Sequence, residues 1–252
     1  MELGIKGRRA LVIGGSTGLG LACCEALAAE GADIAVFARN PANLAAAVGR
    51  LSSRFGVRVD GFAGDITSHQ DVKTLRDAVQ QSGGMDILVL NTPRPPSPMR
   101  DFLDETEDAR WERAYVDQMQ SALFVLRELT PLLLNKGWGR VIGITSASVK
   151  QPMPRHALSS IFRAGVQTAL KHLVEELGPH GITVNSVAPA TVLTPTFAQF
   201  HNLETRVAAT PLKRAGTMEE LGGTVAFLAS TFAGYITGAT IQFDGGMTRS
   251  LL

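Results

Sequence analysis

Apolar residues in this chain alternate between two patterns. Continuous short runs stand at 9–13, 33–38, 57–63, 85–90, 141–146, 182–189 and 240–243. Between them lie segments with the i, i+3, i+4 spacing of amphipathic helices: 21–30, 41–55, 69–81, 111–134, 159–177 and 218–230. Runs without polar interruption are the signature of strands buried on both faces, and regular alternation with helices of ten residues or more makes those strands parallel. The pattern predicts one α/β domain over residues 1–252. Its core is a doubly wound parallel sheet of about seven strands, with helices on both faces and right-handed connections. Pro131 is expected to kink or break the helical stretch 111–134 near its end. No repeat or linker interrupts the order. The cluster from Pro93 to Pro98 reads as a rigid loop bordering a ligand crevice. The polar, weakly periodic segment 194–216, with Pro195 and Pro211, reads as a mobile lid over a substrate.

The first run passes straight into Gly14-Gly15-Ser16-Thr17-Gly18-Leu19-Gly20 and then a helix. Glycines in a strand-to-helix turn let the backbone approach a phosphate and aim the helix N-terminal N–H groups at it, so the turn predicts a Rossmann-like dinucleotide site. The tip of the second strand chooses the nucleotide. An acid there would bind a ribose 2′-hydroxyl, but this chain has Arg39 and Asn40. Arginine suits a 2′-phosphate, so the expected cofactor is NADP(H) rather than NAD(H). A second candidate site lies where the fifth run ends on Ser146. Thirteen residues later stands Ser159, and Arg163 follows four beyond it, one helical turn away on the same face.

Composition narrows the partners. A net charge of +1, with 45% hydrophobic and 19% charged residues, argues against nucleic acid and for an ordinary soluble domain with a small-molecule substrate. No apolar run reaches the roughly 18 residues of a membrane span. The N-terminus, from Met1 to Gly7, has no signal-peptide core. Cys23 and Cys24 are adjacent, which suits neither an intrachain disulfide nor a metal site; both read as core-facing helix residues in a cytoplasmic protein, with no metal expected.

Six motifs in register resemble the short-chain dehydrogenase/reductase family over nearly the whole chain. They are Gly14, Gly18 and Gly20 in the family's Gly-x-x-x-Gly-x-Gly turn, and Asp65-Ile66 after the third strand. With them stand Asn91, the one asparagine that survives from the family's motif after the fourth strand, Val184-Asn185-x-Val187-x-Pro189, Tyr235-Ile236-Thr237-Gly238, and Asp244-Gly245-Gly246. The resemblance implies cofactor contacts at Gly14, Ser16, Thr17, Gly18, Leu19, Gly20, Arg39, Asp65, Ile66, Asn91, Arg163, Pro189, Val192 and Thr194. The catalytic positions that the family fills with Asn, Ser, Tyr and Lys hold Gln118, Ser146, Ser159 and Arg163. The family's Asn-Asn-Ala-Gly reads Leu90-Asn91-Thr92-Pro93, and its Pro-Gly reads Pro189-Ala190. A homotetramer or homodimer is implied through the helices at 111–134 and 159–177.

An aliphatic hydroxyl is a far weaker acid than a phenol, and arginine does not relay protons. Ser146, Ser159 and Arg163 can instead donate to a developing oxyanion, which fits conjugate reduction of an enone. The competing readings are a ketone or 3-oxoacyl reductase using another acid, a non-catalytic nucleotide-binding sensor or subunit, and a halohydrin-dehalogenase-like lyase. The last family keeps the tyrosine and loses the glycine turn, the reverse of this chain. Tyr115 and His156 are candidate replacement acids, though each reads first as structural or loop surface. Lys150 reads as a solvated lysine within reach of an anionic substrate. The lid and proline-rich loop carry no chemistry that names a substrate.

Overall fold

The strands are β1 (Arg9–Ile13), β2 (Asp33–Ala38), β3 (Val59–Ala63), β4 (Ile87–Asn91), β5 (Gly139–Ile144), β6 (Ile182–Pro189) and β7 (Thr240–Phe243) in a computed structural model that describes residues 2–199 and 202–251. They form one sheet in the order β3-β2-β1-β4-β5-β6-β7, and every pair is parallel. The helices are α1 (Gly18–Ala29), α2 (Pro41–Phe55), α3 (His69–Gln81), α4 (Asp108–Ala114), α5 (Ser121–Leu129), α6 (Ala157–Leu177), α7 (Leu203–Ala209) and α8 (Met218–Ala229).

Two apolar layers hold the sheet between helices. Leu27, Ile34, Val36, Ile87, Val89 and Leu221 pack on one face. Leu11, Leu75, Leu88, Val125, Leu129 and Leu170 pack on the other. Each such side chain contributes about 1.5–3 kcal/mol on leaving water. Successive residues of β1 and β4 feed opposite layers, which is why these strands read as unbroken apolar runs. The order in which strands are added reverses between β1 and β4, and the carboxyl ends of the strands there border a crevice.

Several boundaries shift by one to three residues, those of β5 among them, and the stretch 111–134 differs more. β5 starts earlier, because Gly139 and Arg140 pair with Ile182 and Ile87. It ends at Ile144 rather than on Ser146, whose side chain accepts from Ser148 N and caps a short turn, Ala147–Val149. The stretch expected to be one helix over 111–134 is α4, a wider π-type turn at Tyr115–Gln120, and α5. Pro131 then falls in a 3₁₀ turn, Thr130–Leu133, where its missing N–H breaks no α-helical bond. Within the expected lid lie the 3₁₀ turn Phe197–Gln199 and α7, which begins at a side-chain cap from Asn202. Phe200 and His201, also part of that lid, lie outside the described residues.

Candidate active site

The carboxyl ends of the strands open into a cleft of about 1030 Å³. The glycine turn forms one wall. Gly18 has φ +54°, a backbone conformation that side chains strain. Gly20 lies behind the wall, where α1 meets the turn so closely that a Cβ would stand 2.2 Å from the Gly14 carbonyl oxygen. Gly20→Ala is therefore expected to lower stability by about 1–3 kcal/mol and to weaken nucleotide binding. Thermal melting and a nucleotide titration check this, and values matching the parent would contradict it.

The N-cap Thr17 makes no side-chain cap bond and α1 has no acid in its first turn. The free N–H groups of such a helix end suit an anion such as a pyrophosphate. Arg39 and Asn40 line the same wall, with Arg39 Nη1 3.7 Å from Asp65 Oδ2. Burial favours protonation of Asp65, but Thr67 donates to it through N and Oγ1 and Arg39 adds its charge, so its pKa is lowered. Asp65 is not part of the cleft lining; it reaches it through Arg39.

The other wall is built on α6. Leu158, Ser159, Arg163, Val166, Leu170 and Leu177 are its buried stripe, so Ser159 and Arg163 are the polar end of a core-facing row. Arg163 is 8% exposed. Its Nε donates to Gln118 Oε1 at 3.1 Å, Nη1 to the carbonyls of Ile144 (3.1 Å) and Thr145 (3.0 Å), and Nη2 to that of Pro93 at 3.3 Å. A guanidinium has five N–H donors, so these bonds leave one for the cleft. Burial and the neighbouring Arg94 bring its pKa down to about 10, and it stays charged at neutral pH. Gln118 is fully buried on the π-type turn behind Arg163, outside the lining, and its Nε2 has no hydrogen-bond partner.

Ser146 faces the cleft. Its Oγ accepts from Ser148 N (3.2 Å) and Ser148 Oγ (2.9 Å), which leaves its own proton to donate. Ser159 is buried to 5% exposure and also lines the cleft. His156 also lines it. Nε2 accepts from Arg206 at 3.0 Å, so the ring proton sits on Nδ1 and goes to the Pro154 carbonyl at 2.7 Å. Burial depresses its pKa, and the bond to Pro154 does not reverse this. Tyr115 points elsewhere: it is 42% exposed, packs against Phe162 and is no part of the lining, and neither is Lys150.

Of the other residues expected to meet a cofactor, Gly14, Ser16, Thr17, Gly18, Leu19, Ile66, Asn91, Pro189, Val192 and Thr194 line the cleft. Cys23 and Cys24 are fully buried on α1, and burial raises both thiols, Cys23 to about 12. Among the described residues no cluster of acids, histidines and cysteines could hold a metal, and no helix is long and apolar enough to cross a membrane.

Residues 14–248 match the family model for enoyl-(acyl carrier protein) reductase. The chain belongs to the short-chain dehydrogenase/reductase family. Nodulation protein G of Azospirillum brasilense is 32% identical over 94% of this chain and 97% of its own length. L-rhamnose 1-dehydrogenase (NAD(P)(+)) of Sphingomonas sp. strain SKA58 is also 32% identical, over 98% of both. L-sorbose reductase from Gluconobacter frateurii, solved with NADPH and L-sorbose, superposes with a TM-score of 0.92 at 30% identity, covering 100% of both chains.

In this short-chain dehydrogenase/reductase the sequence reading missed part of the cleft. Arg94 from the proline-rich loop, Arg155 before α6 and Arg206 on α7 all line it. The lid and the proline-rich loop were expected to carry no readable chemistry, and in the loop before α6 only Lys150 and His156 stood out. The signal was there as three arginines in the connections that follow β4, β5 and β6, but only the fold brings them to one place.

Proposed function

We propose that this protein is an NADP(H)-dependent oxidoreductase that reduces conjugated enones. One observation carries the reading: among the described residues, the cleft lining has no tyrosine, lysine, cysteine or carboxylic acid. The one histidine among the described lining residues is His156, whose pKa burial lowers and whose ring proton is already committed to Pro154. Ketone reduction requires a proton delivered to oxygen, and an acid suited to that has a pKa near the working pH. The positions where the family places tyrosine and lysine hold Ser159 and Arg163.

NADP(H), when bound, supplies the hydride. The fit of this chain to it rests on the uncapped N-terminus of α1, the close-packed glycine turn and the acid-free tip of β2. Asn91, Pro189, Val192 and Thr194 border the space toward the substrate. With hydride added at the β-carbon, the C=C π pair becomes the enolate bond between the α-carbon and the carbonyl carbon, and the carbonyl π pair moves onto oxygen. Ser146 donates its hydroxyl proton as a hydrogen bond to that enolate, with Ser159 beside it. Water then protonates the α-carbon, so each turnover consumes one NADPH and one proton. Arg163 holds the carbonyl ends of β4 and β5 around this point.

Turnover of a panel of cyclic and open-chain enones with NADPH is the test, followed by the loss of reduced nicotinamide absorbance. Saturated analogues are expected to react at least about 100-fold more slowly, the scale of a missing general acid. Reduction of saturated ketones without enones would sink the proposal. That outcome belongs to the second reading, ketone reduction, which the similarity to L-sorbose reductase favours. NADPH binding without any turnover would leave a nucleotide-binding subunit.

Arg39 is proposed to select the 2′-phosphate. Arg39→Ala is expected to lower kcat/KM for NADPH by about tenfold or more, the worth of a charge-assisted bond, and to leave NADH almost unchanged. Equal losses with both nucleotides would remove this role. A homotetramer or homodimer is part of the proposal, supported by apolar surface at Tyr115 and Ile161, which are 42% and 43% exposed on the helices concerned.

A further inference from the structure

The substrate end of the cleft is positively charged out of proportion to the chain. Arg94, Arg155, Arg163 and Arg206 line it together with the neutral His156, and among the described lining residues there is no aspartate or glutamate. The whole chain carries a net charge of only +1, so this is local placement. The groups also meet each other. Arg206 Nη2 stands 3.0 Å from His156 Nε2, and Arg94 Nη2 reaches Thr194 Oγ1 at 3.5 Å across the mouth. Arg155 lowers the pKa of both Arg206 and His156, in each case behind burial as the main cause. The nearby acids are engaged outside the lining. Asp101 accepts from Arg155 N at 2.5 Å, Glu107 pairs with Arg100 and Glu105 with Arg110.

The cofactor's phosphates do not account for Arg155 and Arg206. Those phosphates belong to the glycine turn and Arg39, after β1 and β2. Arg155 and Arg206 follow β5 and β6, on the far side of the switch point. At about 4.8 Å per strand, β2 and β5 are roughly 14 Å apart. Cations gathered around a cleft without a carboxylate attract an anion and concentrate it there.

We propose that Arg94, Arg155 and Arg206 form an oxyanion-binding subsite, so that the reducible substrate carries a carboxylate or phosphate group beyond its carbonyl. The arginine fork matches both groups in two-point contact. This deepens the reductase reading and names the substrate class of that site. It also accounts for a lid residue, Arg206, turned into the cleft: the substrate's charge would tie α7 to the loop before α6.

The test is equilibrium binding to the protein–NADP⁺ complex by calorimetry, which needs no turnover. One arm sets 2-oxo-4-phenylbut-3-enoate and 2-oxohexanoate against their methyl esters. A second sets 4-oxopentyl phosphate against 5-hydroxypentan-2-one. The charged member of at least one arm is expected to bind about tenfold or more tightly than its neutral partner, and the arm with the larger ratio identifies the group. Raised salt should reduce that ratio. Arg155→Gln and Arg206→Gln should each reduce it about tenfold while NADP⁺ affinity and melting temperature stay near the parent values. Equal binding within every pair, or no binding by any member, overturns the proposal, as does a preference undiminished in both variants. Anion preference without hydride transfer to the bound acid would keep the subsite and remove the reductase reading.

Discussion

Replacing Ser146 by alanine is expected to lower kcat for an enone by about 100- to 1000-fold, the loss seen when one preorganised oxyanion donor is removed. Ser148 directs two donors at the Ser146 oxygen, at 3.2 and 2.9 Å. With its lone pairs engaged, that hydroxyl is oriented to give its proton to the cleft and is polarised in the direction that strengthens the bond to a forming enolate. The ground-state carbonyl accepts the same bond more weakly, so the loss should fall on kcat more than on KM. Ser148→Ala removes one of the two donors and should cost only about three- to tenfold. Steady-state kinetics on a single enone, with an NADPH titration as control, separates these outcomes. A Ser146→Ala variant within about threefold of the parent rate would remove serine from the mechanism.

The fold was legible because parallel strands covered on both faces leave no polar alternation to confuse them with loops. The glycine turn was legible because its backbone geometry admits few other residues. What the sequence obscured were polar residues acting inside apolar elements. Gly139 and Arg140 belong to β5 although neither looks like the start of a buried strand. Gln118 sits in a helix whose widening to a π-type turn has no residue signature. The pairing of Ser159 with Arg163 follows from a spacing of four, but the partners of Arg163 do not. Three of its four acceptors are main-chain carbonyls, and any sequence supplies those. The arginines of the substrate end come from two loops and the helix α7, so their convergence exists only after the sheet has set where those segments lie.

The partners of Arg163 change what its loss should do. If it served only to hold a ligand, removing it would leave stability untouched. Here it ties Ile144 and Thr145 at the end of β5 to Pro93 after β4, and Gln118 orients its Nε. Arg163→Met keeps most of the aliphatic volume but strands these buried acceptors, each worth about 1–3 kcal/mol when unpaired. Water from the cleft can re-satisfy part of them, and relief of a buried cation offsets some of the rest. The net expectation is a loss of about 3 kcal/mol, or roughly 6–12 °C in Tm for a chain of this size. Arg163→Lys restores the charge as a single point with three donors and lacks the planar fork that reaches four acceptors, so it should recover less than half of that loss. Thermal melting of both variants, with and without NADPH, decides the matter. Arg163→Met melting with the parent would return the residue to a purely ligand-facing role. A lysine variant as stable as the parent would show that charge, not the fork, holds the ends of β4 and β5 together.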